Sequence, residues 1–130
     1  MVADMTKRII IADDNKIFRE AVKDLLMFSD LEIIAEAGDG PEIIELVERL
    51  KPDILLLDQR MPEMEGIEVV KRLRKICPDL KIIMLTMYDN LSRQAIEAGA
   101  NGFCTKVCKP GKILEGIESV LEGKTFICDK

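Results

Sequence analysis

Five short apolar runs, each followed by hydrophobic residues at helical spacing, constrain this chain more than any other feature. The predicted strands are Arg8–Asp13, Glu32–Ala37, Ile54–Asp58, Lys81–Thr86 and Gly102–Thr105. The first, third and fourth are nearly all apolar, as strands covered on both faces should be. Between and after them, one helical face gathers Ile17, Ala21, Leu25 and Leu26, and a second gathers Ile43, Leu46, Val47 and Leu50. Ile67, Val70, Leu73 and Ile76 mark a third helix, Leu91, Ala95, Ile96 and Ala98 a short fourth, and Ile113, Ile117, Val120 and Leu121 a fifth. Pro41 and Pro110 suit first helical turns. Gly38-Asp39-Gly40, Pro52, Pro62, Pro78, Gly99 and Gly123 punctuate the pattern. Five alternations predict an α/β fold, a three-layer (βα)5 arrangement around a parallel sheet. The right-handed crossover rule leaves few topologies. The doubly wound, flavodoxin-like order 2-1-3-4-5 places strands one and three side by side. The 130 residues read as a single domain, residues 1–130, with a core from about 7 to 123 and a linker or tail beginning at 124.

That order gives the acidic residues their meaning. Asp13 and Asp14 end the first run and Asp58 ends the third. In an open parallel sheet the carboxyl edge is where ligands bind. Like charges at ~4 Å repel by about 4 kcal/mol at an effective dielectric of ~20, so three carboxylates in one crevice call for a cation. An all-oxygen donor set points to Mg²⁺. Thr86 ends the fourth run and Lys106 follows the fifth, at the same edge. Acids for a metal, a hydroxyl and an ammonium suit phosphoryl transfer onto a carboxylate, where positioning and charge matter most.

Composition narrows the alternatives. A net charge of -5 disfavours nonspecific nucleic-acid binding. No apolar stretch approaches the ~20 residues of a membrane span, and Met1 to Lys7 hold no signal-peptide core. The chain has no histidine, which excludes a histidine base, metal ligand or phosphocarrier within it. The four cysteines, Cys77, Cys104, Cys108 and Cys128, follow no zinc spacing. A cytoplasmic chain with free thiols is the expectation, with Cys104 and Cys108 incidental rather than a redox or metal pair.

These motifs together resemble the response-regulator receiver domains of two-component signalling. The residues that carry the resemblance are Asp13-Asp14, the stretch Asp58-Gln59-Arg60-Met61-Pro62-Glu63-Met64-Glu65-Gly66, Thr86, and Phe103 ahead of Lys106. Ala98-Gly99-Ala100-Asn101-Gly102-Phe103 is also typical. The resemblance runs from about Lys7 to about Gly123. It implies a phosphoacceptor at Asp58, supplied by a sensor histidine kinase, and Mg²⁺ on Asp13, Asp14, Asp58 and the main-chain carbonyl of Arg60. It further implies that Thr86 and Lys106 contact the phosphoryl group. Phe103 would be an aromatic switch that turns inward as Thr86 moves, altering the surface of helix four, strand five and helix five. A homodimer on phosphorylation is one implied readout. Such a domain is not an enzyme beyond its own phosphorylation and dephosphorylation.

The tail Val120-Leu121-Glu122-Gly123-Lys124-Thr125-Phe126-Ile127-Cys128 resembles receivers of the NarL/FixJ branch, where a linker leads to a DNA-binding domain. The chain then reads as the receiver of a transcriptional regulator, or as a single-domain regulator, and DNA binding is not assigned to these residues. Two other readings stand beside it. One is a pseudo-receiver that serves as an interaction module. The other is a Mg²⁺ phosphohydrolase, weakened because Arg60 stands where such enzymes carry a second Asp.

Three departures matter. Thr86 and Lys106 are twenty positions apart, a shorter link than the resemblance implies, which puts the shape of helix four in question. Val107 stands where many receivers have proline, so the bond after Lys106 is either trans or strained. Arg60 and Tyr88, two positions after Asp58 and Thr86, occupy places that tune dephosphorylation. Both are large, which implies a comparatively long-lived aspartyl phosphate.

Overall fold

A computed structural model describes residues 6–129; the first five residues and Lys130 lie outside it, including part of the N-terminal stretch read above for a signal core. The elements are β1 (Lys7–Ala12), α1 (Lys16–Leu26), β2 (Leu31–Ala37), α2 (Gly40–Leu50), β3 (Ile54–Leu57), α3 (Gly66–Ile76), β4 (Lys81–Thr86), α4 (Ser92–Ala98), β5 (Gly102–Thr105), α5 (Pro110–Leu121) and β6 (Phe126–Cys128), with a 3₁₀ turn at Asp89–Leu91 before α4. The sheet is parallel, in the order β2-β1-β3-β4-β5-β6. The expected order 2-1-3-4-5 holds, and β6 extends it at the β5 edge.

Alternation along the strands divides the core into two layers. Ile10, Leu55, Leu57, Ile82, Met84 and Phe103 face α2, α3 and α4, where Ile43, Val47, Val70, Leu73 and Ala95 meet them. Ile9, Ile11, Leu56, Ile83, Leu85 and Cys104 face α1 and α5, against Val22, Leu26, Ile117 and Val120. Each fully buried aliphatic side chain contributes about 1.5–3 kcal/mol, so both layers stabilise the sheet between its helices. Local chemistry starts the helices. The Asn15 side chain accepts from the Phe18 N–H at 3.2 Å, and Asp39 accepts from the Glu42 N–H at 2.9 Å.

Three expectations change. Strands β1 and β3 stop one residue short of their acids, because Asp13 and Asp58 bend out of the sheet while their N–H groups continue its ladder. Asp13 donates to the Ala37 carbonyl and Asp58 to the Ala12 carbonyl, each at 2.9 Å. On α1 the buried face is Phe18, Val22 and Leu26; Ile17 is 82% exposed. Finally, Cys108 and Cys128 are joined as a disulfide, leaving Cys77 and Cys104 as the free thiols. The peptide bond after Lys106 is trans, as are all bonds among the described residues. Between Thr86 and Lys106 the chain forms a 3₁₀ turn (Asp89–Leu91) and the seven-residue α4, shorter than the eleven residues of α1 and twelve of α5.

An ion-pair cluster ties α1 to β2. Glu36 accepts from Lys23 Nζ at 2.8 Å and from Arg19 Nε at 3.0 Å. The Lys23 ammonium, with help from Arg19, holds the Glu36 carboxyl below its ordinary 4.5. A depressed folded-state value means the stabilisation is present above the unfolded value and lost as pH falls through the folded one. Glu36→Gln should therefore lower stability by about 0.5–1 kcal/mol near neutrality, and the deficit should close in acid. Urea melts at the two pH values check this; a deficit that persists in acid would contradict the assignment.

Candidate functional site

The doubly wound order brings the ends of β1 and β3 together, and with them Asp13, Asp14 and Asp58. One carboxylate oxygen from each lies within 4.8 Å of the others. Asp13 is 2% exposed and Asp58 7% exposed, whereas Asp14 is exposed at the rim. The cluster is thus a buried pair with a third acid at its mouth.

Lys106 reaches into it from the loop after β5. Its Nζ lies 2.6 Å from Asp13 Oδ2 and 3.4 Å from Asp58 Oδ2, with its side chain 10% exposed. The opposite oxygens are held by the main chain: Asp13 Oδ1 accepts from the Asn15 N–H at 2.8 Å, and Asp58 Oδ1 from the Gln59 N–H at 2.7 Å. Each buried acid therefore has one anchored oxygen and one aimed at the ammonium. The Phe18 ring packs 4.0 Å from that ammonium and limits where it can move. Burial pushes the Asp13 carboxyl above its ordinary 3.8, and the Asp58 charge adds to the rise. The Lys106 and Asn15 hydrogen bonds oppose it.

The supporting shell is built from main chain and two polar side chains. Arg19 Nη1 donates to the Asp13 carbonyl at 2.5 Å, fixing the turn out of β1. After β3, Gln59 folds the loop back: its Oε1 accepts from the Ile67 N–H at 2.9 Å and its Nε2 donates to Glu65 at 3.2 Å. Gly66 closes the same loop, donating its N–H to the Gln59 carbonyl at 2.9 Å. A Cβ at Gly66 would run into the Asp58 carbonyl oxygen, so glycine is what lets α3 start so close to the acid.

Thr86 is fully buried at the end of β4, and its Oγ1 accepts from the Tyr88 N–H at 3.4 Å. The Lys106 N–H donates to the Thr86 carbonyl at 2.8 Å, which couples the ends of β4 and β5 through one main-chain bond. Phe103 is fully buried in the core layer beneath α4. Arg60 and Tyr88 face each other at the rim, with the guanidinium 5.5 Å from the ring centroid.

Asp13, Asp14, Asp58 and Lys106 thus meet directly, Thr86 joins through the main chain, and Phe103 sits one layer below. Phe18 and Arg19 are additions that the sequence did not single out, and Gln59, quoted only as part of its motif, gains a role in folding the loop back. Only the position of Phe18 on the first turn after the acids hinted at its place. Oxygen donors from three acids, two of them buried, with burial raising Asp13, fit a hard divalent cation.

Residues 9–118 match the response regulator receiver domain family. The chain is 37% identical over 118 residues to the chemotaxis protein CheY of Thermotoga maritima, covering 89% of this chain and 98% of that one. It is 34% identical over 126 residues to the transcriptional regulatory protein DegU of Brevibacillus brevis, covering 95% of this chain but only 53% of that one. Among solved structures, a LuxR-family two-component response regulator from Aurantimonas sp. SI85-9A1 superposes with a TM-score of 0.89 at 32% identity. That match covers 93% of this chain and 89% of the other.

Proposed function

The chain belongs to the response regulator receiver domain family, and on that premise we propose that it is a phosphorylation-activated switch whose acceptor is Asp58. The observation that carries this reading is the ammonium of Lys106 shared between Asp13 and Asp58, with Asp14 completing the acid set. Receivers of this family are signalling switches rather than metabolic enzymes, and the only chemistry assigned here is on the chain itself.

Asp58 Oδ2 is the nucleophile, since Oδ1 is tied to the Gln59 N–H. It attacks the phosphorus of a phosphohistidine on a sensor histidine kinase. The P–N bond breaks, a P–O bond forms, and the electron pair returns to the imidazole, which takes up a proton. Lys106 exchanges its contact with Asp58 Oδ2 for a phosphoryl oxygen while keeping Asp13. The Thr86 hydroxyl, now an acceptor of the Tyr88 N–H, turns to donate to a second phosphoryl oxygen. Asp13, Asp14, Asp58 and the Arg60 carbonyl would hold Mg²⁺, which when bound neutralises charge developing on the phosphoryl oxygens. A shift of Thr86 pulls the β4 end, and Phe103 keeps the space beneath α4 filled. The altered surface is that of α4, β5 and α5, where a homodimer or other partner would read it.

The parallel with DegU supports a receiver that serves a transcriptional regulator, acting on DNA through a separate domain. No described helix is long and apolar enough to cross a membrane. The family match covers residues 9–118, and β6 (Phe126–Cys128) packs on the same sheet beyond it, so the described residues read as one domain. The test is incubation with acetyl phosphate and Mg²⁺, expecting a mass gain of one phosphoryl group mapped to Asp58. No gain under any donor would leave the pseudo-receiver reading in its place.

The Arg60–Tyr88 pair narrows the path of a water to the phosphoryl group. Alanine at both positions should shorten the life of the aspartyl phosphate by about tenfold, a barrier change of about 1.4 kcal/mol. Phosphate loss from wild type that matches or outpaces the double variant removes the shielding role.

A further inference from the structure

Three of the four cysteines converge at the free edge of the sheet: Cys104 on β5, Cys108 in the loop before α5 and Cys128 on β6, their sulfurs within 4.8 Å of one another. Cys108 and Cys128 form a disulfide, 20 residues apart in sequence with Cα atoms 6.8 Å apart. The two ends of that bond do different jobs. Cys108 sits two residues after Lys106 in a tight turn, its N–H donating to the Thr105 carbonyl at 3.1 Å and its sulfur 3.3 Å from Thr105 Oγ1. Cys128 ends a three-residue edge strand.

Apart from the disulfide, the described attachments of β6 are its ladder to β5 and the burial of Phe126 against α5. The strand pairs with Gly102, Phe103 and Cys104. Phe126 donates its N–H to the Asn101 carbonyl at 3.2 Å and lays its ring over Gly116, where a Cβ would come within 2.8 Å of it. Ile127 faces solvent. A strand this short, on an edge, is weakly held by its ladder alone, so the covalent link and the Phe126 anchor together keep it in place.

We propose that the Cys108–Cys128 disulfide is a reversible thiol latch, which when closed fastens β6 to the loop carrying Lys106 and when opened by a small thiol frees β6 from that loop. In a reducing compartment a disulfide of this kind is regulatory rather than permanent. Cys128 is partly exposed and Cys108 buried, so an incoming thiolate reaches the Cys128 sulfur first. It forms a mixed disulfide there, and the electron pair of the broken bond leaves on Cys108, which takes a proton. A second thiolate attacks the small-molecule sulfur and releases Cys128. The balance is one protein disulfide and two small thiols giving two cysteine thiols and one small disulfide; closure is the reverse. Cys104 does not interfere. Burial pushes its thiol up to about 11, so it stays protonated and a poor nucleophile.

The latch stands on the cysteine geometry; its effect on Lys106 rests on the phosphoacceptor reading. The full chain is equilibrated with oxidised or reduced glutathione, denatured, alkylated and weighed. Of the four cysteines, two should be alkylated after oxidation and all four after reduction. Amide exchange at Phe126–Cys128 should be at least about tenfold faster in reduced protein and in Cys128→Ser. Phosphorylation by acetyl phosphate should differ by about three- to tenfold between the two states. Four alkylated cysteines after oxidation, or equal β6 exchange in both states, overturns the latch. Equal phosphorylation rates overturn its coupling to Lys106. No phosphorylation in either state, with the alkylation count still changing, overturns the phosphoacceptor reading and upholds the latch.

Discussion

Asp58→Asn should abolish the mass gain from acetyl phosphate while leaving the fold intact. The substitution keeps the shape of the side chain and its acceptor for the Gln59 N–H, which holds Asp58 Oδ1 at 2.7 Å. What it removes is the anionic oxygen that faces Lys106 at 3.4 Å, the proposed nucleophile. Lys106 retains its shorter bond to Asp13 at 2.6 Å, so the ammonium is not orphaned. Relief of repulsion between two buried acids should leave the variant as stable as wild type or slightly more so. Intact mass and a urea melt on the same preparation separate chemistry from folding. A variant that gains a phosphoryl group at the wild-type rate would move the acceptor to another residue, with Asp13 the first to map. One that unfolds would show that the Asp58 charge is structural.

The fold was legible where a signal was local. β4 and β5 have the bounds their apolar runs imply, and the site acids are readable because each directly follows a strand. The misreadings have non-local causes. On α1 the stripe read as Ile17, Ala21, Leu25 and Leu26 is right at Leu26, but the buried face runs through Phe18 and Val22, selected by the need to cover β1 and back Lys106. β6 has no bounded pattern of its own; it forms because β5 offers an unpaired edge and Phe126 finds the gap over Gly116. The Cys108–Cys128 pairing depends on that same docking, and cysteine connectivity is not contained in spacing. Gln59 and Arg19 act through main-chain carbonyls and amides, which no side-chain motif announces.

Lys106→Met should cost the fold about 2–4 kcal/mol in the absence of divalent cation, a larger effect than a surface lysine would give. The methionine fills most of the same volume against Phe18, so the loss isolates the charge. Without the ammonium, Asp13 and Asp58 face each other across a buried crevice with no cation between them. The first relief available is protonation of Asp13, whose carboxyl burial already raises and whose opposing hydrogen bond from Lys106 would be gone. A raised folded-state value means the folded form takes up a proton before the unfolded form does, so stability is gained as pH falls through it. The deficit of Lys106→Met should accordingly shrink in mild acid. Mg²⁺ should restore part of it at neutral pH, because the crowded carboxylates are the residues that would hold the ion. Urea melts of variant and wild type, with and without Mg²⁺, measure all three effects. A variant as stable as wild type in metal-free buffer would mean that Lys106 does not neutralise the acid pair, and the site would then need another source of positive charge.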